Sequence, residues 1–395
     1  MARFAINPGR QAEPRWDRPE LAWVEAVRAQ AQLPLHRSLP GYAPTPVRDL
    51  SDLARELGLG RLLIKDESGR FGLGAFKGLG ASYAMDSVLR KRWRAITGED
   101  LAPAACADPE VRARLGGITF CAATDGNHGR AVAWTARRLG QRAVIFLPAD
   151  TAPARVASLE REGAEVRRID GTFDHCVTAC AEAAAREGWQ VIADTAYPGY
   201  LEIPGDIMTG YSTIFAELAD QLPAPPDVVL LPAGVGGLAA AGTASLVLRY
   251  GAARPRLVCV EPESSACFLE SIEHGTGEPV AARGDQRSIM VGLCCGMPSL
   301  VAWPIIRDAV DVFLAIDDQP ARSAMRACHR HGVVAGESGA AALAGLLALL
   351  RDPDLIDART HLGLGPAATA LVINTEGATD PVHYAEVVGE TGDGS

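Results

Sequence analysis

No two cysteines in this chain are spaced as CxxC, although nine are present, and no group of His, Cys and acidic residues has metal-ligand spacing. A structural zinc is therefore not expected. Cys176 and Cys180 stand one helical turn apart, which fits packing better than metal binding. Cys267 and the Cys294-Cys295 pair fall in loop-like segments, and their pairing stays open. Positive charge is not in excess either. The formal net charge is -10 over 395 residues, which argues against a phosphate-binding face and a nucleic-acid partner. No apolar run reaches the length of a membrane span. The longest, Gly236–Leu248 and Ser338–Leu350, suit buried helices. The N-terminus mixes Arg3, Arg10, Glu13, Arg15 and Asp17 with no apolar core, so no signal peptide is expected. A reducing cytoplasm is the expected setting. Repeats and low-complexity linkers are absent as well.

What is present is the composition of a globular protein, 48% hydrophobic and 22% charged. Short apolar runs alternate with helical patterns. Ile118–Ala122, Ala143–Leu147, Glu165–Ile169 and Val191–Ala193 read as strands, with helices near Asn127–Leu139, Ala152–Glu162 and Thr172–Glu187 between them. Val228–Leu231, Leu257–Val260, Val312–Ala315 and Ala370–Ile373 repeat the habit. The alternation predicts an α/β protein with parallel sheets flanked by helices. Residues 80–196 are expected to form a small lobe, and 1–79 with 197–395 a larger, discontinuous one. A ligand would sit in the cleft, at the carboxyl ends of strands. Residues 1–45 read as an extended or partly helical arm, and Gly389–Ser395 as a disordered tail.

Three motifs carry chemistry. Lys77 lies in Gly72-Leu73-Gly74-Ala75-Phe76-Lys77-Gly78-Leu79-Gly80. A lysine among small and apolar neighbours is costly to keep charged, so it tends towards a nucleophilic amine suited to a Schiff base. A lysine snorkelling from a helix start is the plainer alternative. Next, Thr124-Asp125-Gly126-Asn127-His128-Gly129 follows a strand and opens a helix. A helix N-terminus suits a carboxylate or phosphate, although a simple N-cap also explains the acid. Finally, Gly234-Val235-Gly236-Gly237-Leu238-Ala239 follows the strand Val228–Leu231 and offers backbone N–H groups to a phosphate. The last run also satisfies the dinucleotide fingerprint G-x-G-x-x-A, with Glu261 near where a ribose-binding acid would sit. An NAD-dependent oxidoreductase is thus a competing class, but it leaves Lys77 and Asn127 without a role.

Taken together, the motifs resemble the fold-type II pyridoxal-phosphate (PLP) enzymes, the tryptophan synthase β-like family, over roughly residues 40–380. GAFKGLGA, TDGNHGRAVAW and DTAYPGY are similar to the diaminopropionate ammonia-lyase branch of that family. The resemblance implies that Lys77 holds PLP covalently and that Asn127 bonds its ring hydroxyl. Phe76 would line the cofactor site. Gly234, Val235, Gly236, Gly237 and Leu238 would bind the phosphate, and Thr375 would meet the pyridine nitrogen. Ala75 stands where many relatives carry Ser, so that hydroxyl is missing. Asp125 and Asp194 would join Lys77 as acid–base groups on both faces of the substrate. Thr124, Asp125, His128 and Asp194 would bind that substrate, with His128 acting through its backbone N–H more than its ring. The implied reaction is α,β-elimination of D- or L-2,3-diaminopropionate to pyruvate and ammonia, by a homodimer. A serine or threonine dehydratase of the same fold is the alternative within the family, and a PLP-binding protein without catalysis the alternative outside enzymes.

Overall fold

The computed structural model describes residues 2–124 and 126–389. Within them lie strands β1 (Arg3–Ile6), β2 (Val47–Asp49), β3 (Arg61–Asp66), β4 (Thr119–Ala123), β5 (Arg142–Pro148), β6 (Glu165–Ile169), β7 (Gln190–Val191), β8 (Val228–Pro232), β9 (Arg256–Pro262), β10 (Val312–Ile316) and β11 (Thr369–Asn374). They form two sheets, ordered β1-β10-β9-β8-β11-β3-β2 and β6-β5-β4-β7. The smaller sheet is wholly parallel. The larger has a parallel centre with β1 and β2 added antiparallel at its edges.

The eight strands read from the sequence occur within two residues of their expected bounds. Strands β1, β2 and β3 are not legible in it, and the antiparallel edges correct the all-parallel expectation. Two of the three are very short. β3 carries Lys65 and Asp66 at positions that the sheet buries, which hides it among polar segments. The arm expected over residues 1–45 is built into the body: β1 pairs with β10, and Trp23 and Val24 of the helix Trp23–Arg28 enter the core. Gly389, read as the start of a disordered tail, ends the helix Pro381–Gly389. Residues 390–395 lie outside the described residues.

β8, all apolar, is buried along its whole length, as a central strand covered on both faces must be. Its alternation divides the core. Val229 and Leu231 pack with Ala240 and Ala244 of the helix Gly237–Tyr250, while Val228 and Leu230 pack with Leu343 and Leu346 of the helix Ala341–Arg351. These helices are the two long apolar runs of the sequence. Among the described residues no helix is long and apolar enough to cross a membrane.

Both sheets have a switch point, where strand order reverses and ligands bind beside the carboxyl ends of strands. In the larger sheet it falls between β8 and β11, in the smaller between β4 and β7. The helix Lys77–Thr97 lies between the sheets and packs on the helix Glu202–Tyr211. The approach is close. A Cβ at Gly210 would lie 2.3 Å from the Leu79 carbonyl oxygen, and one at Gly80 2.5 Å from the Tyr211 ring.

The chain between β3 and Lys77 is held by a buried charge network. Lys65 Nζ is 2.7 Å from Glu217 Oε2, and Arg70 joins Glu67 and Glu217 at 2.8 Å each. Burial opposes the charge on Glu217, but Arg70 and Lys65 outweigh it and hold the carboxyl below its ordinary value. Beyond Arg70, Phe71 adopts a left-handed φ of 53°, uncommon for a residue with a bulky side chain. Its ring is stacked on Trp134 at 4.9 Å, which holds it there. Glu217→Ala would leave Lys65 and Arg70 buried beside a single carboxylate. We expect a loss of about 3–5 kcal/mol, measured by denaturant unfolding; a loss below about 1 kcal/mol, the range of exposed ion pairs, would show that the network does not hold this segment.

Candidate active site

The segment leading into Lys77 is sewn to the end of β11. Phe76 N–H donates to the Thr375 carbonyl at 3.2 Å, and Gly377 N–H to the Gly74 carbonyl at 2.9 Å. Lys77 then starts its helix at the mouth of a cavity. Phe76, Lys77, Asn127, Asp194, Thr375 and the run Gly234–Leu238 all line it, although they come from five separate segments. Asn127 and Asp194 follow β4 and β7; Gly234–Leu238 and Thr375 follow β8 and β11. The two switch points therefore face one cavity.

Thr124 and His128 do not line it. The Thr124 N–H is bonded to the Phe146 carbonyl at 3.0 Å, and its hydroxyl accepts the Gly126 N–H at 3.3 Å. His128 is buried, with Nε2 2.8 Å from the Ile192 carbonyl. Burial, with Lys77 adding to it, outweighs Asp194 and lowers the pKa of the ring, so it is neutral with its proton on Nε2. Its Nδ1 then faces Asp194 Oδ2 at 4.0 Å. The ring, expected to matter less than the backbone N–H, is thus a neighbour of Asp194. Asp125 lies outside the described residues.

Lys77 Nζ is 2.7 Å from Asp194 Oδ2. Burial pulls the lysine pKa down, but the carboxylate outweighs it, and the net shift is upward. Burial likewise raises the pKa of Asp194, but Lys77 and then His128 lower it further. This corrects the expectation that apolar surroundings alone would strip Lys77 of its proton: the counter-charge comes from a residue 117 positions away.

The cavity fits a flat aldehyde cofactor with a phosphate tail. The helix Gly237–Tyr250 begins after Gly236, which has no side chain to cap it and sits at φ 93°, so its first N–H groups are left for an anion. A Cβ at Gly234 would come within 3.0 Å of Cys295 Sγ and 3.2 Å of the Gly292 carbonyl oxygen. Only glycine leaves the backbone this open to a ligand.

Thr375 lines the cavity, and its hydroxyl donates to the Ser338 carbonyl at 3.4 Å. Asn374 does not; its amide is bonded to Asp66 and to the Val334 carbonyl. Glu261 is no ribose acid. Its carboxyl accepts the N–H groups of Phe268 and Leu269 at 2.8 and 2.9 Å, and burial pushes its pKa up to about 8. The dinucleotide reading loses its support there.

Tyr211, Cys295 and Glu376 also line the cavity, and the motifs do not point to them. Burial pushes the Cys295 thiol up to about 12, which keeps it neutral. No disulfide joins Cys267, Cys294 and Cys295. Tyr211 and Cys295 have no local signal in the sequence. Glu376, directly after Thr375 at a strand end, does.

Residues 38–362 match the model of a family described as pyridoxal-phosphate dependent enzyme. The chain is 39% identical over 366 residues to a diaminopropionate ammonia-lyase of Salmonella typhimurium, covering 90% of each. Among solved structures it is similar to the diaminopropionate ammonia lyase of Escherichia coli in complex with D-serine, with a TM-score of 0.87 and 36% identity over 99% of this chain and 97% of that one. The same Escherichia coli enzyme in complex with an aminoacrylate-PLP azomethine reaction intermediate gives a TM-score of 0.84 at 36% identity and the same coverage.

The ion pair has a defined pH range. The raised pKa of Lys77 contributes stability that is whole below about pH 10.4 and lost as pH rises through the folded value. The lowered pKa of Asp194 contributes stability present above about pH 3.9 and lost as pH falls through the folded value. The pair is intact across the neutral range. Asp194→Asn removes the anion and leaves burial to dominate, so the cofactor-free Lys77 amine should become reactive at lower pH. Acetylation of Lys77 followed by mass spectrometry across pH checks this; an unchanged profile would show that Asp194 does not control the lysine.

Proposed function

The chain belongs to the pyridoxal-phosphate dependent enzyme family, and we propose that within it the protein catalyses α,β-elimination of 2,3-diaminopropionate to pyruvate and ammonia. The observation that carries the reading is the Lys77–Asp194 pair at 2.7 Å in a cavity that also holds the glycine cradle of Gly234–Leu238. The likeness to ammonia-lyases over nine-tenths of the chain supports the substrate class.

Lys77 would hold PLP, with Asn127 towards its ring hydroxyl, Thr375 towards its pyridine nitrogen and Gly234–Leu238 towards its phosphate. Bound there, the cofactor supplies an electron sink that acidifies the substrate Cα–H. The remaining work falls to side chains. The start of the helix Asn127–Arg138 receives the substrate carboxylate through its N–H groups. Lys77, once released, takes the Cα proton of the L isomer, and Asp125 takes that of the D isomer from the opposite face. The β-amino group leaves well only as an ammonium. Asp194, held ionised by its surroundings, is suited to keep it protonated and hydrogen-bonded. A neutral Thr375 hydroxyl, if its proton turned from the Ser338 carbonyl to the pyridine nitrogen, would leave that nitrogen unprotonated and favour loss of the β group over transamination.

The cleft is read as the junction of a unit of residues 80–196 with a larger one of 1–79 and 197–395. A homodimer is proposed from the resemblance, and light scattering measures it. A cytoplasmic setting is proposed, since none of the nine cysteines is in a disulfide.

The test is pyruvate release from D- and L-2,3-diaminopropionate by the yellow, cofactor-loaded protein. Activity on the diamine supports the reading. Turnover of serine or threonine alone would move the chain to the dehydratases, and colour without any turnover would make it a binding protein. Asp125→Asn should lower turnover of the D isomer by about 10²–10⁴-fold, the usual worth of a general base, and of the L isomer far less. Equal losses would overturn the two-face assignment.

A further inference from the structure

Glu376 lines the cavity beside Thr375 and is 6% exposed. Its carboxyl receives two donors from different elements. The Asn127 side-chain N–H group donates to Oε2 in a short bond, and the Ser338 backbone N–H to Oε1 at 3.1 Å. The backbone is fixed as firmly. The Glu376 carbonyl accepts the Gly336 N–H at 3.0 Å, and a Cβ at Gly339 would lie 2.3 Å from that carbonyl oxygen. The carboxyl therefore has one position, and each oxygen faces a donor.

An asparagine amide can present either its oxygen or its NH₂ group to a neighbour. A carboxylate only accepts, so it settles which end faces it. With one N–H on Glu376, the second N–H of the same NH₂ group is left for a ligand oxygen in the cavity. We propose that Glu376 is a positioning residue that fixes the Asn127 amide in the orientation that donates to the ring oxygen of the cofactor. The proposal rests on the cofactor reading above.

The surroundings pull the Glu376 carboxyl both ways. Burial and then Glu337 push the pKa of Glu376 up, while Asn127 and Ser338 hold it down; the net shift is upward. Beyond Glu337 stand His383, with Nε2 3.7 Å from Glu337 Oε1, and Asp380 and Arg155, which also act on Glu337. Among the described residues, Lys77 and Asp194 are the charged groups on the cavity side.

Glu376→Gln tests the idea, because its carboxamide cannot accept from both donors. With Ser338 N–H facing its oxygen, the new NH₂ group meets Asn127 and turns that amide around. A ring oxygen deprived of its donor carries more negative charge and holds a nearby proton more tightly. The pH midpoint of the visible band of the cofactor-loaded protein should rise by about one unit, a tenfold change in proton affinity. Asn127→Ala should raise it similarly, and the double variant no further, since residues acting through one another are not additive. Additive shifts, or a wild-type midpoint in Glu376→Gln, would overturn the proposal. If Glu376→Gln does not fold, Glu376→Asp, which keeps the charge but withdraws it from Asn127, should move the midpoint the same way; no movement would overturn it equally. A wild-type protein that takes up no cofactor would overturn the reading of the cavity, and this proposal with it.

Discussion

The ion pair between Lys77 and Asp194 joins two side chains 117 positions apart in the chain. Lys77 comes after β3 of the larger sheet along the chain, and Asp194 lies just beyond β7 of the smaller one. Neither charge is well placed without the other, because both are more than two-thirds buried and burial disfavours each. The pairing therefore requires the carboxyl ends of both sheets to converge. Once they do, the glycine cradle after β8, Asn127 after β4 and Thr375 after β11 fall around the same lysine.

Convergence depends on a rigid approach to Lys77. The network of Lys65, Glu67, Arg70 and Glu217 anchors the chain just before it, and two hydrogen bonds to the 375–377 segment hold the last residues. Behind the lysine, Gly80 and Gly210 let two helices approach until backbone meets backbone. Hydrophobic burial alone would hold these elements together without fixing register. The charge network and the glycine contacts make it specific, so the amine is delivered to one place. The same logic extends to the opposite wall, where the loop around Gly336 and Gly339 clamps Glu376.

Strands such as β8 and β10 are legible because they are wholly apolar and buried on both faces. The glycine run after β8 and the Gly126-Asn127 helix start are legible because each combines strand, glycine and helix within a few residues. β3 is not, because its lysine is neutralised by Glu217, 152 residues further on. β1 and β2 are too short to show a period of two. Tyr211 and Cys295 reach the cavity from segments with no local mark.

The sequence by itself determined the strand–helix alternation that builds two largely parallel sheets, the candidate lysine, the helix-start motif and the glycine run after β8, and through their order the family. These are properties of contiguous residues, set by alternation, glycine placement and helix starts. Tertiary structure alone decided the charge of Lys77, the burial of Glu261 under a helix start, the choice of Thr375 over Asn374 as the cavity residue, and the grip of Glu376 on Asn127. The reason is the same in each case. Protonation and side-chain orientation depend on partners within a few ångströms, and here those partners come from distant parts of the chain or from the way a loop folds back.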